Sequence, residues 1–125
     1  MQNNFRLSHI SVIMLGVTDL EQSLAFYHDK LGLAVKMHLA ELALLEAGPI
    51  MLGLSQGLGR TNPQKAGATE VVFAVGNVRA AHAALVEKGV TFVREPTQTT
   101  PTDWAAHFRD PDGHLFSVFG PEGQL

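Results

Sequence analysis

The spacing of apolar residues divides the chain into short elements. Residues 10–17 are almost wholly apolar and rich in β-branched side chains, the pattern of a buried strand. Thr18 or Asp19 then offers an N-cap, with Glu21 or Gln22 three residues on completing a capping box. Leu20, Leu24, Tyr27 and Leu31 recur at helical spacing with Phe26 beside them, and Gly32 supplies the stop. Residues 33–39, 42–46 and 50–54 read as a meander of three short strands, with a turn at Gly48-Pro49.

The order then repeats. Residues 69–75 form a strand, Asn77 caps a helix running through Ala81, Ala84 and Leu85, and Gly89 stops it. Residues 90–93 form another strand, and 104–109 and 114–119 a hairpin. The hairpin turn, Asp110-Pro111-Asp112-Gly113, has a mechanism: proline pre-sets φ, the aspartates bond nearby backbone, and glycine adapts to the last position. After it Leu115, Ser117 and Phe119 alternate with Phe116 and Val118, so the two sets occupy opposite faces. Aligning Val17-Thr18-Asp19 with Val75-Gly76-Asn77 reveals an internal strand–helix–three-strand repeat with a period of roughly sixty residues. The predicted fold class is α+β: two tandem βαβββ modules, about 8–55 and 69–120, forming one domain. Neither module buries much by itself, so the pair should pack together, two curled mixed sheets sharing or enclosing a cavity. Residues 56–68, with Gly, Pro and polar side chains and little periodicity, read as the linker.

Composition narrows the function. A net charge of −3 leaves no basic footprint, so nucleic acid is not an expected partner. The absence of cysteine removes disulfides, thiolate nucleophiles and thiolate metal sites together. No apolar run approaches membrane-spanning length, and the first residues lack a signal-peptide core, so a cytoplasmic protein without membrane contact is expected. Gly57-Leu58-Gly59 lies in the linker rather than between strand and helix, which argues against a phosphate loop, and Ser117 lacks a Gly-x-Ser-x-Gly setting.

Residues 19–27, Asp-Leu-Glu-Gln-Ser-Leu-Ala-Phe-Tyr, followed by Leu31-Gly32-Leu33, resemble the vicinal oxygen chelate superfamily. That group includes glyoxalase I, fosfomycin- and bleomycin-resistance proteins and extradiol dioxygenases. Gly89-Val90, Glu95-Pro96 and the stretch Arg109-Asp110-Pro111-Asp112-Gly113-His114 agree in order, so the resemblance spans residues 8–120. It implies paired modules whose sheets each curl round half of a ligand cavity, often in a homodimer. Metal-using members place one ligand on each of four strands, and a divalent ion there acts as a Lewis acid. The resemblance carries those places onto Val12, Gly53, Glu70 and Ser117. Glu70 could ligate and Ser117 only weakly, so no cofactor is expected, with a divalent metal as the alternative.

Three further readings concern the cavity. By the resemblance, His107 stands where fosfomycin-resistance and dioxygenase members carry a cavity tyrosine, ten residues before Ser117. It and Glu70 are therefore the candidate catalytic pair, histidine serving as acid or base near neutral pH; the alternative is a strand histidine bonded to backbone or water. Glu70 precedes an apolar strand and, if inward, needs a partner such as His107, Arg109 or a cationic ligand group; otherwise it is an exposed strand-start carboxylate. Trp104, the only tryptophan, either stacks on a ligand or packs in the core. Val12, Gly53, Glu70, Trp104, His107 and Ser117 make the expected cavity set. Two functions follow: a metal-free small-molecule binding protein of the bleomycin-resistance type, or a glyoxalase-like lyase, isomerase or dioxygenase acting through Glu70 and His107.

Overall fold

The computed structural model describes residues 7, 9–61 and 69–124, and it contains the repeat. The first module runs β1 (Val12–Gly16), α1 (Leu20–Leu24, continued by a π-helical turn Ala25–Lys30), β2 (Val35–His38), β3 (Leu42–Ala47) and β4 (Ile50–Ser55). The second runs β5 (Glu70–Ala74), α3 (Val78–Glu87), β6 (Phe92–Gln98), β7 (Trp104–Arg109) and β8 (Leu115–Gly120). Each module makes a four-stranded mixed sheet, ordered β1-β4-β3-β2 and β5-β8-β7-β6, with the module's first and last strands parallel. The two sheets have the same topology, and neither closes on itself.

Both predicted caps are present. Asp19 accepts from the backbone N–H of Gln22 and Asn77 from that of Ala80. After α1 the Leu31 N–H reaches back five residues to the Phe26 carbonyl. This wider turn carries two consecutive aromatics, Phe26 and Tyr27, and both are buried. They meet the second module directly: Tyr27 lies 5.6 Å from Phe116 edge-on, and Phe26 lies 6.2 Å from Phe108. Phe73, Phe116 and Phe108 stack beside them, so one continuous apolar cluster joins the modules.

The stretch expected as a linker behaves differently. Gln56–Thr61 forms a short helix, α2, started by the Ser55 hydroxyl, which accepts from the Leu58 N–H at 3.0 Å. Gln56 Oε1 accepts from the Leu20 N–H at 2.7 Å. Gly59 lies against the Val17 carbonyl so closely that a β-carbon there would collide with it. The Gln56 bond and this glycine contact tie the segment to α1 and to the end of β1. The rest of the expected linker, 62–68, lies outside the described residues.

The Asp-Pro-Asp-Gly turn also joins the modules. Asp110, almost wholly buried, accepts from Tyr27 Oη at 2.6 Å and from the N–H groups of Asp112 and His114 at 3.0 and 2.7 Å. Asp112 accepts from the N–H and hydroxyl of Thr18, and His114 Nε2 bonds the Gly16 carbonyl oxygen at 2.8 Å. The turn of one module is thus fastened to the β1–α1 corner of the other. Burial raises the Asp110 carboxyl above the ordinary carboxylate range, although its hydrogen bonds pull the other way. Burial and the Asp110 charge hold the Tyr27 phenol protonated, so it always donates. Among the described residues no helix is long and apolar enough to cross a membrane.

Candidate functional site

The helix-free faces of the two sheets carry the candidate residues. On the second sheet Val72, Ser117, His107 and Arg94 stand opposite one another in a row across β5, β8, β7 and β6. Directly opposed residues share a face, and Phe116 and Phe108, one residue away, point to the aromatic core. Glu70, two residues before Val72, joins the same face. Its Oε2 lies 3.2 Å from His107 Nε2. Those two side chains come from strands on either side of β8, so their contact spans that strand beside the buried Ser117.

The pair is partly accessible: 16% of the His107 side chain and 36% of the Glu70 side chain meet solvent. His107 Nδ1, by contrast, is buried and has no hydrogen-bond partner among the described residues. One ring nitrogen is engaged by the carboxylate, and the other keeps its bonding capacity. A histidine held by a carboxylate can exchange a proton with a bound molecule or hydrogen-bond one.

Arg94 is the residue that sequence reasoning missed. The register between β6 and β7 slips between Phe92 and Arg94, which sets Arg94 opposite His107. Among the described residues its side chain has no ion pair or hydrogen bond. The other described arginines are engaged: Arg60 with Glu41, Arg79 with Glu122, and Arg109 with the Gly113 carbonyl. The bulge that fixes its face leaves little trace in the hydrophobic pattern.

The first sheet is chemically unlike the second. Met14, Gly53, Leu44 and Met37 form the corresponding row, with Val12 opposite Met51 beside it. A β-carbon at Gly53 would collide with Met14 Sδ, so the thioether lies directly over the glycine. Met14 and Met37 are substantially exposed. The four places that the resemblance marks for metal ligands hold an isopropyl group, a glycine covered by methionine, a carboxylate already paired with histidine, and a hydroxyl. That donor set does not fit a divalent ion. Among the described residues no three His, Cys, Asp or Glu side chains come together as a metal group.

Trp104 goes elsewhere. Three residues from His107 on the same strand, it faces the helix side, packs against the core and carries the Arg79 guanidinium over its ring at 5.2 Å. The expected cavity position is thus replaced by a packing one, because an odd spacing on a strand sends two side chains to opposite faces. His28 bonds the Leu33 carbonyl, while His38 and His82 face Glu21 and Glu95, so none of the three joins the Glu70–His107 pair.

Comparisons with known proteins agree with this architecture. The chain is 30% identical over 116 residues to a glutathione transferase, FosA, of Serratia marcescens, covering 90% of this chain and 80% of the relative. A glyoxalase-related enzyme from Fulvimarina pelagi superposes with a TM-score of 0.77 at 24% identity, covering 90% of this chain and 88% of the other. A lactoylglutathione lyase from Agrobacterium tumefaciens does so with a TM-score of 0.75 at 21% identity, covering 90% and 93%. Those two likenesses speak for the fold. Residues 6–118 match the family description itself. With the paired βαβββ modules and their open sheets, this places the chain in the Glyoxalase/Bleomycin resistance protein/Dioxygenase superfamily.

Proposed function

We propose that this chain binds a small molecule on the free faces of its two sheets, without the divalent ion of metal-using members. The observation that carries the reading is the contrast between those faces. The second sheet presents His107, held by Glu70, and at Arg94 a guanidinium without a partner among the described residues. The first presents Met14 over Gly53, with Leu44 and Met37 beyond. A ligand with an apolar part and an oxyanion suits both: thioethers adapt to irregular apolar groups, and a guanidinium pairs with carboxylate or phosphate-like groups. Two open sheets need a cover, and a second copy of the chain supplies one of each kind, so a homodimer belongs to this reading.

The names of the curated relative and of the lyase neighbour both concern glutathione. A thioether of glutathione combines carboxylates with an apolar group, so S-hexylglutathione is the first probe. In calorimetric titration it binds saturably, and His107→Ala or Arg94→Gln lowers affinity about tenfold, the loss of one charge-assisted contact. Unchanged affinity in both variants removes these residues from the site. Elemental analysis after incubation with nickel, zinc and manganese returns well under one ion per chain; one tightly held ion per chain overturns the metal-free reading.

The Glu70–His107 pair also favours a second reading, an acid–base enzyme of the lyase or isomerase type. It predicts turnover that Glu70→Gln abolishes while binding persists. Loss of binding and turnover together would return the pair to a binding role.

A further inference from the structure

The two N-caps, Asp19 and Asn77, align the helices residue by residue. On that alignment Phe26 corresponds to Ala84 and Tyr27 to Leu85. The first helix therefore buries two rings, 5.2 Å apart, where α3 offers a methyl and a leucine. Of the ten residues of α3 only Val78 is buried.

The missing bulk leaves space. A cavity of about 310 Å³ lies between α3 and the helix side of the second sheet. Ala84 and Leu85 line it from α3, Phe73, Phe108 and Val118 from the sheet, and Leu31 and Leu33 from the first module. Every described lining residue is apolar, so among the described residues a ligand meets no side-chain donor, acceptor or charge there. The space is open to solvent on one side, where Ala74 and Ala84 are exposed, so a small molecule can enter it directly. Placing a charged or strongly polar group against such walls without a partner is unfavourable.

We infer that this cavity is a second ligand site, on the opposite face of the sheet from Glu70 and His107, and that it takes a small neutral aromatic ring. At the corresponding positions of the first helix, Phe26 and Tyr27 seat their rings against Phe108 and Phe116 of this same sheet, so its apolar side already accepts aromatic groups. Aromatic edges and faces at Phe73 and Phe108 give such a ring partners that an alkane lacks. Closeness of Leu31 and Leu33 means that the occupant touches both modules at once. The site is independent of the metal question and of what binds the free faces.

Methyl-resolved NMR of the full chain titrated with toluene tests it. Saturable shifts are expected at the methyl groups of Leu31, Leu33, Leu85 and Val118, with those of Met14 and Met37 unmoved. Benzoate, the same ring with a charge, should bind at least tenfold more weakly. Ala84→Phe places a ring in the space and should abolish the shifts while leaving the rest of the spectrum intact. Should that variant fail to fold, Ala84→Leu fills part of the space and should lower toluene affinity several-fold. Absence of saturable shifts at the four residues, equal affinity for benzoate, or unchanged toluene affinity in a folded filled variant overturns the inference.

Discussion

On β4 the residue opposite Met14 is Gly53, whereas on β8 the residue opposite Val72 is Ser117, beside which His107 reaches Glu70. One plan has been built twice and furnished differently. The helix sides diverge as well, the first module contributing Phe26 and Tyr27 to a core shared with the second sheet, the second contributing Ala84 and Leu85 beside a cavity. Duplication explains how both can coexist. One copy's helix holds the modules together, which frees the other to pack loosely, and one sheet supplies an apolar wall while the other keeps the polar groups. The division of labour is testable because each residue has a counterpart.

The largest effect is expected in the core. Tyr27 is fully buried and donates to Asp110, so Tyr27→Ala should cost about 4 kcal/mol of stability, a cavity plus an orphaned buried acceptor. Its counterpart Leu85 is only partly buried and borders a cavity, so Leu85→Ala should cost about 1 kcal/mol. Urea unfolding of the two variants measures the asymmetry. Equal losses would mean that α3 carries as much of the core as α1.

A smaller effect concerns the turns. Among the described residues only the second module's turn is fastened by a buried carboxyl, and burial raises the Asp110 pKa. The folded chain therefore binds that proton more tightly than the unfolded chain. Between the ordinary carboxylate pKa and the raised one, the native state holds more protons, so this group makes stability fall as pH rises through that window. Below the ordinary value its contribution is fully present. Asp110→Asn removes the titration, while its oxygen can still accept from the Asp112 and His114 amides. Urea melts of the variant across mildly acidic pH should lack the part of the slope that wild type shows, and an unchanged slope would assign it to other groups.

Much of this was legible in the residues. The caps at Asp19 and Asn77, the turn at 110–113 and the match of 17–19 with 75–77 are local signals with local causes, and they specified the repeat. His107 and Glu70 could be named as a pair, but their contact depends on two side chains meeting across β8, which no local pattern contains. Trp104 was legible in principle: its even spacing from Ala106 and Phe108 puts it with the core, where the structure has it. Arg94 was hidden by a bulge, since one inserted residue reverses the face that simple alternation predicts. The helix at Gln56–Thr61 was hidden by its two glycines, of which Gly59 is there for close approach to Val17 rather than for flexibility.

The smallest expected effect bears on how the apolar wall works. Gly53→Ala introduces a β-carbon where Met14 Sδ now lies. What must move is the far end of a flexible side chain rather than backbone, and alanine is entropically less costly than glycine in a strand by roughly 0.5–1 kcal/mol. The two terms offset, so stability should change by less than about 1 kcal/mol while the Met14 methyl resonance shifts clearly. Such a result describes a wall that rearranges to suit its ligand. A loss above about 2 kcal/mol would instead mean that Met14 is held in place by its neighbours. In that case the first sheet would be as rigidly specified as the second, and the two free faces would differ in polarity alone.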